Sequence, residues 1–227
     1  MNIMRNYILL FMIYSFIGWI IEVINSYIKT GKYINRGFLI GPYLPIYGVG
    51  SLGIVILLNR YYDDLLVLFC MGTILCCILE YFTSYIMEKI FRARWWDYSY
   101  KKFNLAGRIC LETAVLFGLG GCIVVKLVNP FLVNLFDILP SLFLNIVTIL
   151  FTIVFIADLM ISCKIIFTFR NFVSNVKKDS TTEINKLVKK MIASKSFLGE
   201  RLMKAFPNLK INLEKIKKIR LVSIRKK

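Results

Sequence analysis

Four carboxylates, Glu22, Glu80, Glu112 and Asp158, and two guanidinium groups, Arg36 and Arg108, fall within or beside long apolar runs. A charge at bilayer depth costs about 2.5–3.5 kcal/mol on insertion scales, and less near the interface. Acids donated by four separate runs are therefore expected to pair around a shared cavity with the two guanidinium groups. Such a cavity could bind a polar or charged solute or a lipid headgroup. A carboxylate such as Glu80 could also act as a general base, with Arg36 or Arg108 steadying a phosphate. An Arg–Glu network could equally do no more than set helix register, and residue types alone do not separate these readings. The sequence contains no histidine, which removes His-based relays and the commonest transition-metal ligand. The cysteines (Cys70, Cys76, Cys77, Cys110, Cys122, Cys163) lack metal-ligand spacing and read as small packing residues. No metal and no cofactor is expected.

The elements that must position these groups are membrane helices. The chain is 58% hydrophobic with a mean hydropathy of +0.67, and several runs approach the roughly 20 apolar residues that cross a bilayer. The expected fold is all-α and polytopic: a transmembrane domain over residues 1–169 with spans at about 4–27, 46–59, 65–87, 109–127 and 140–169, then a basic tail over 170–227. The first run is long and lacks a small-residue cleavage pattern, so it reads as a retained helix. Ser15, Gly18, Glu22 and Asn25 form one polar stripe on it, and Thr73, Cys76, Glu80, Thr83 and Glu88 form another on the third span. Arg108 and Glu112, at i and i+4, are placed to meet at the start of the fourth span. Asn129-Pro130 is expected to end that span, with a short surface helix over 131–139.

Between the first two spans lies Arg36-Gly37-Phe38-Leu39-Ile40-Gly41-Pro42-Tyr43-Leu44-Pro45-Ile46-Tyr47-Gly48-Val49-Gly50. Glycines admit positive φ and close backbone approach, while prolines fix φ and lack an N–H. Non-helical backbone at membrane depth survives only where protein or a water-filled cavity surrounds it. One reading is a re-entrant segment lining a site through Gly37, Gly41, Pro42, Pro45, Tyr47 and Gly48. The other is a tight turn followed by a helix that starts at Pro45.

Bases cluster after the first and third spans and in the tail, where 17 Lys and Arg face four Asp and Glu, a net of +13. The positive-inside rule then places the N-terminus outside and the C-terminus in the cytoplasm. Trp95, Trp96 and Asp97 lie where aromatics and bases interleave beside a span. They are expected at headgroup level, and nucleic-acid stacking is not expected. In the tail, Ile184, Leu187, Val188 and Met191 fit one face of a basic amphipathic helix, suited to anionic lipid.

Gly18-Trp19…Glu22, Asn35-Arg36-Gly37-Phe38…Gly41-Pro42…Pro45-Ile46-Tyr47-Gly48, Glu80-Tyr81…Glu88, Trp95-Trp96-Asp97-Tyr98-Ser99 and Asn104-Leu105…Gly107-Arg108-Ile109-Cys110 follow in order. In these motifs, from residue 10 to about 165, the chain resembles the bacterial integral-membrane family known as putative ABC-transporter type IV, or putative ABC-transporter permeases. The resemblance implies a permease-like subunit in the bacterial plasma membrane, working with a separate ATPase subunit or as a homo-oligomer. The sequence has no Gly-x-x-x-x-Gly-Lys-[Ser/Thr] loop, so ATP hydrolysis is expected from another polypeptide. Solute binding by Glu22, Arg36, Glu80, Arg108 and Glu112 is the leading expectation. An intramembrane enzyme acting on a lipid-linked substrate and a non-catalytic scaffold or regulator are the alternatives.

Overall fold

The computed structural model describes residues 3–91, 93–175 and 210–211. Hydrophobic runs become helices because, in a lipid-like setting, only a helix satisfies every backbone polar group within its own segment. The helices are α1 (Ile3–Thr30), α2 (Pro45–Leu58), α3 (Leu65–Phe91), α4 (Leu111–Ile123), α5 (Asn129–Ile138) and α6 (Ser141–Asn175). Among the described residues, four helical stretches have the length and apolar character to cross a membrane: α1, α3, α4 with α5, and α6 up to Lys164.

The second expected span is shorter than a full crossing. α2 has 14 residues, about 21 Å at 1.5 Å per residue, against a hydrocarbon core of roughly 30 Å. Its start is set by a contact with α1. Leu44 N–H donates to the Ser15 carbonyl at 2.9 Å, and Ser15 lies close to the middle of the 28-residue α1. The segment 31–44 therefore leaves the Thr30 end of α1, climbs without helical structure to mid-height, and there begins a half-length helix. That helix ends beside the 3-10 turn Asn59–Tyr61.

α1 and α2 approach closely because Gly48 sits against Ser15 and Phe11 while Gly18 sits beneath the Tyr47 ring. Side chains at either glycine would overlap the opposite helix, which is how small residues let membrane helices meet.

The fourth span departs from expectation at Asn129-Pro130. Rather than ending there, the rod runs from Leu111 to Ile138 through a π turn at Val124–Val128. Pro130 occupies the first turn of α5, where its missing N–H leaves no interior bond unmade, and the wider π turn absorbs the change of register. The stretch expected as a separate surface helix is the end of this rod, with Leu132 and Phe136 buried against Leu9, Leu10, Tyr14 and Leu144. A second apolar cluster joins Ile54, Leu58, Leu68 and Val125. Both clusters lie toward the end of the bundle where α1 begins.

Between α3 and α4, β2 (Asn104–Leu105) and β3 (Ile109–Cys110) form a small antiparallel hairpin, preceded by β1 (Ala93–Arg94). Ala106 and Gly107, with φ of 53° and 65°, form its tight turn, closed by Arg108 N–H donating to the Leu105 carbonyl at 3.0 Å. Backbone with two positive φ values suits the twist of a short hairpin. β1 pairs antiparallel with β4 (Lys210–Ile211) from the tail. The expected amphipathic helix around Ile184 to Met191 lies outside the described residues.

Candidate functional site

The irregular segment 31–44, which leads into a helix that starts at Pro45 as the second reading expected, is pinned from two sides. On one side, Asn35 accepts the Trp19 indole N–H from α1 at 2.7 Å and donates to the Ile40 carbonyl at 3.1 Å, closing the loop on itself. On the other, Asp158 of α6 accepts Ile40 N–H at 2.9 Å, Gly41 N–H at 2.7 Å, the Tyr43 hydroxyl at 2.6 Å and the Ser162 hydroxyl at 2.9 Å. A buried carboxylate with four donors is fully satisfied. Gly37 turns with φ of 125°, a conformation a side chain would strain.

The apolar side of the same segment builds an aromatic pocket. Phe38 packs on Phe91 and Trp95, with ring centroids 5.5 and 5.7 Å away, and Leu39 is fully buried. Trp95 is 4% exposed, its ring packed against Phe38 and Phe91 just beyond the end of α3. Trp96 donates its indole N–H to the Arg108 carbonyl at 3.0 Å, and Asp97 lies 3.6 Å from Arg94 and accepts Ser99 N–H at 3.0 Å. Both help to shape the loop.

Two of the expected acids do share a neighbourhood. Tyr47, lying across Gly18, reaches one turn further along α1 and donates its hydroxyl to Glu22 Oε1 at 2.8 Å. From the other side Tyr98, on the loop after α3, donates to Glu80 Oε1 at 3.3 Å. Burial, followed by the nearby Glu80 and Glu22 charges, pushes the Tyr98 phenol above its ordinary value, so it stays a protonated donor. Glu80 is 6% exposed, and its Oε2 is buried without a hydrogen-bond partner.

Arg108 belongs to a separate group. Its guanidinium donates to Glu88 Oε2 at 2.7 Å and to the Ser84 hydroxyl at 3.0 Å, and it lies 5.6 Å from the Tyr81 ring centroid and 5.5 Å from that of Tyr85. Arg94 adds a 3.3 Å contact to Glu88. Such a network fastens the hairpin loop to α3 and so presents Tyr98 to Glu80.

The expected Arg108–Glu112 pair does not form. α4 begins at Leu111, so Arg108 lies outside the helix and the i, i+4 face does not exist. Glu112 instead occupies the first helical turn, where the helix dipole favours an acid, with its side chain 68% exposed and paired to Lys101 at 2.6 Å. Convergence of all four acids is corrected accordingly: Glu22 and Glu80 share a neighbourhood in which each takes one tyrosine, Asp158 holds the backbone of Ile40 and Gly41, and Glu112 faces outward. Arg36 lies half-buried on the segment between α1 and α2, and Pro42 is exposed beside Gly41.

Tyr98 is the site residue that sequence reasoning missed, since only the folding of the loop brings it to Glu80. Ser84 was findable, because Glu80, Ser84 and Glu88 repeat at i, i+4 and i+8 on one face of α3.

Four spanning rods around a broken, polar-pinned segment define a multi-pass α-helical membrane protein. The sequence matches the family described as putative ABC-transporter type IV over residues 9–163, more than half of the chain, and the chain belongs to that family. It is accordingly a membrane protein of the transporter type. No curated protein and no solved structure matches it.

Proposed function

We propose that this chain is the permease-like subunit of a transporter in the bacterial plasma membrane, N-terminus outside and C-terminus in the cytoplasm. In this reading a polar group of the solute binds in the inner half of the bilayer, beside Glu22, Tyr47, Glu80 and Tyr98. The observation that carries it is the start of α2 against the middle of α1, fixed by Leu44 N–H on the Ser15 carbonyl. A half-length helix preceded by irregular backbone is how many transporter sites are built, because freed backbone and side-chain groups then face a cavity. Lys29, Lys32, Lys89, Lys101 and Lys102 all lie at the end that this orientation makes cytoplasmic.

An ATPase would have to come from a partner, since this sequence contains no phosphate-binding loop. The test is purification of the tagged chain from its native membrane in mild detergent, with identification of what accompanies it. Recovery of a polypeptide carrying a Gly-x-x-x-x-Gly-Lys-[Ser/Thr] loop, in fixed ratio, is the expected result. A chain that repeatedly purifies without an ATPase, from membranes where it is active, would remove the subunit reading.

A further inference from the structure

The two tyrosines at the proposed site have each spent their only proton. Tyr47 gives its hydroxyl hydrogen to Glu22 at 2.8 Å, and Tyr98 gives its own to Glu80 Oε1 at 3.3 Å. A phenol has one O–H, and an ionised carboxylate is an acceptor only. With Glu80 ionised, as a bound cation would favour, what the four side chains still offer is lone pairs: those of the two phenolic oxygens, of Glu22, and above all of Glu80 Oε2, which is buried with no hydrogen-bond partner.

A buried acceptor left unmatched costs about 1–3 kcal/mol, and more if it is charged. The usual remedy, a neighbouring base, is engaged elsewhere in the case of Arg108, which Glu88 and Ser84 hold. An anion, or a ligand offering only acceptors, would meet lone pairs on these four side chains. The complementary ligand is positively charged, or a donor of several hydrogen bonds, or both. Among the described residues no group of three or more His, Cys, Asp or Glu could hold a metal ion, which argues against a divalent ion held by protein ligands alone.

We infer that Glu80, Glu22, Tyr47 and Tyr98 form a part-buried binding site for a small monovalent cation, either the ammonium group of a solute or an alkali metal ion. Glu80 supplies the principal contact through Oε2, Glu22 supplies the second charge, and the phenolic oxygens complete the shell while holding both carboxylates in place. This deepens the transporter reading and rests on it for the location of the site.

The test uses the full chain in lipid nanodiscs, in a choline-based buffer, with radiolabelled methylammonium and radiolabelled sodium as separate probes. Saturable binding of at least one probe is expected, weakened about tenfold or more by Glu80→Gln and left unchanged by Asp63→Asn at the far end of the bundle. Tyr98→Phe, which keeps both charges, should weaken binding by a smaller factor. Methylammonium binding that sodium does not compete assigns the site to an amine; competition by sodium assigns it to an alkali ion. Absence of saturable binding of either probe to the wild-type chain would overturn the inference, as would binding that Glu80→Gln leaves intact. Either failure leaves the transporter reading standing, since that one is decided by the copurifying ATPase.

Discussion

Tyr47 crosses α1 over Gly18 and hydrogen-bonds Glu22 one turn beyond, at 2.8 Å. Glycine at 18 and glutamate at 22 are four residues apart on one helix face, so the space left by one directs the ring to the other. A packing feature of α1 thereby sets the position of an acid in the site.

Gly18→Leu should force the Tyr47 ring off α1 and detach it from Glu22, at a cost of about 1–3 kcal/mol, the usual range for overpacking. Tyr47→Phe, which keeps the ring and deletes the bond, should cost about 1 kcal/mol. Thermal unfolding in detergent compares them, with Gly120→Ala, where nothing lies within 4 Å, as the silent control. Equal losses for Gly18→Leu and Gly120→Ala would contradict the crossing geometry.

Asp158→Ala should free the segment 36–44 without unfolding the rods, since it strands the Ile40 and Gly41 N–H groups and the Tyr43 hydroxyl at a cost of about 1–3 kcal/mol. Hydrogen exchange read by mass spectrometry should show faster exchange there than in α3. Unchanged protection at Ile40 and Gly41 would mean that the carboxylate is not what holds them.

Arg108→Gln should destabilise by about 3 kcal/mol, because the largely covered Glu88 carboxylate loses the guanidinium that lies 2.7 Å from it. Arg108→Lys should recover only part of that, since an ammonium cannot reproduce the planar fork that spans Glu88 and Ser84. By contrast, breaking the exposed Lys101–Glu112 pair should leave the melting temperature within experimental scatter. Thermal melts of the three variants side by side decide the ranking.

With the N-terminus outside, a cysteine replacing Asp63 should react in intact spheroplasts with a membrane-impermeant maleimide, and one replacing Lys102 only after lysis, each judged against the native cysteines. Residues 59–64 and 98–107 lie at opposite ends of α3, so the two positions cannot both be labelled from one side. Reversal of the pattern would invert the orientation.

Much of the fold was legible because hydropathy belongs to contiguous residues. The first, third and fifth runs became α1, α3 and α6, with ends shifted by several residues at most. The irregular segment at 36–44 was legible because Gly and Pro act through their own φ angles. Pro130 misled because its cost depends on what surrounds it: a π turn just before it let the helix continue. Glu112 misled because pairing at i, i+4 presupposes a helix already formed at Arg108, whereas α4 starts three residues later.

From sequence alone came the class of protein, the runs that form its rods, and the fact that several charges must be buried, because each follows from local composition and the cost of leaving water. Which partner each buried charge takes was settled only by the tertiary structure. Rotation of a helix about its axis, the residue at which it begins and the path of an irregular loop are set by contacts between residues far apart in the chain. Asp158 therefore meets the backbone of Ile40 and Gly41, and Glu80 meets Tyr98, only once the rods have packed.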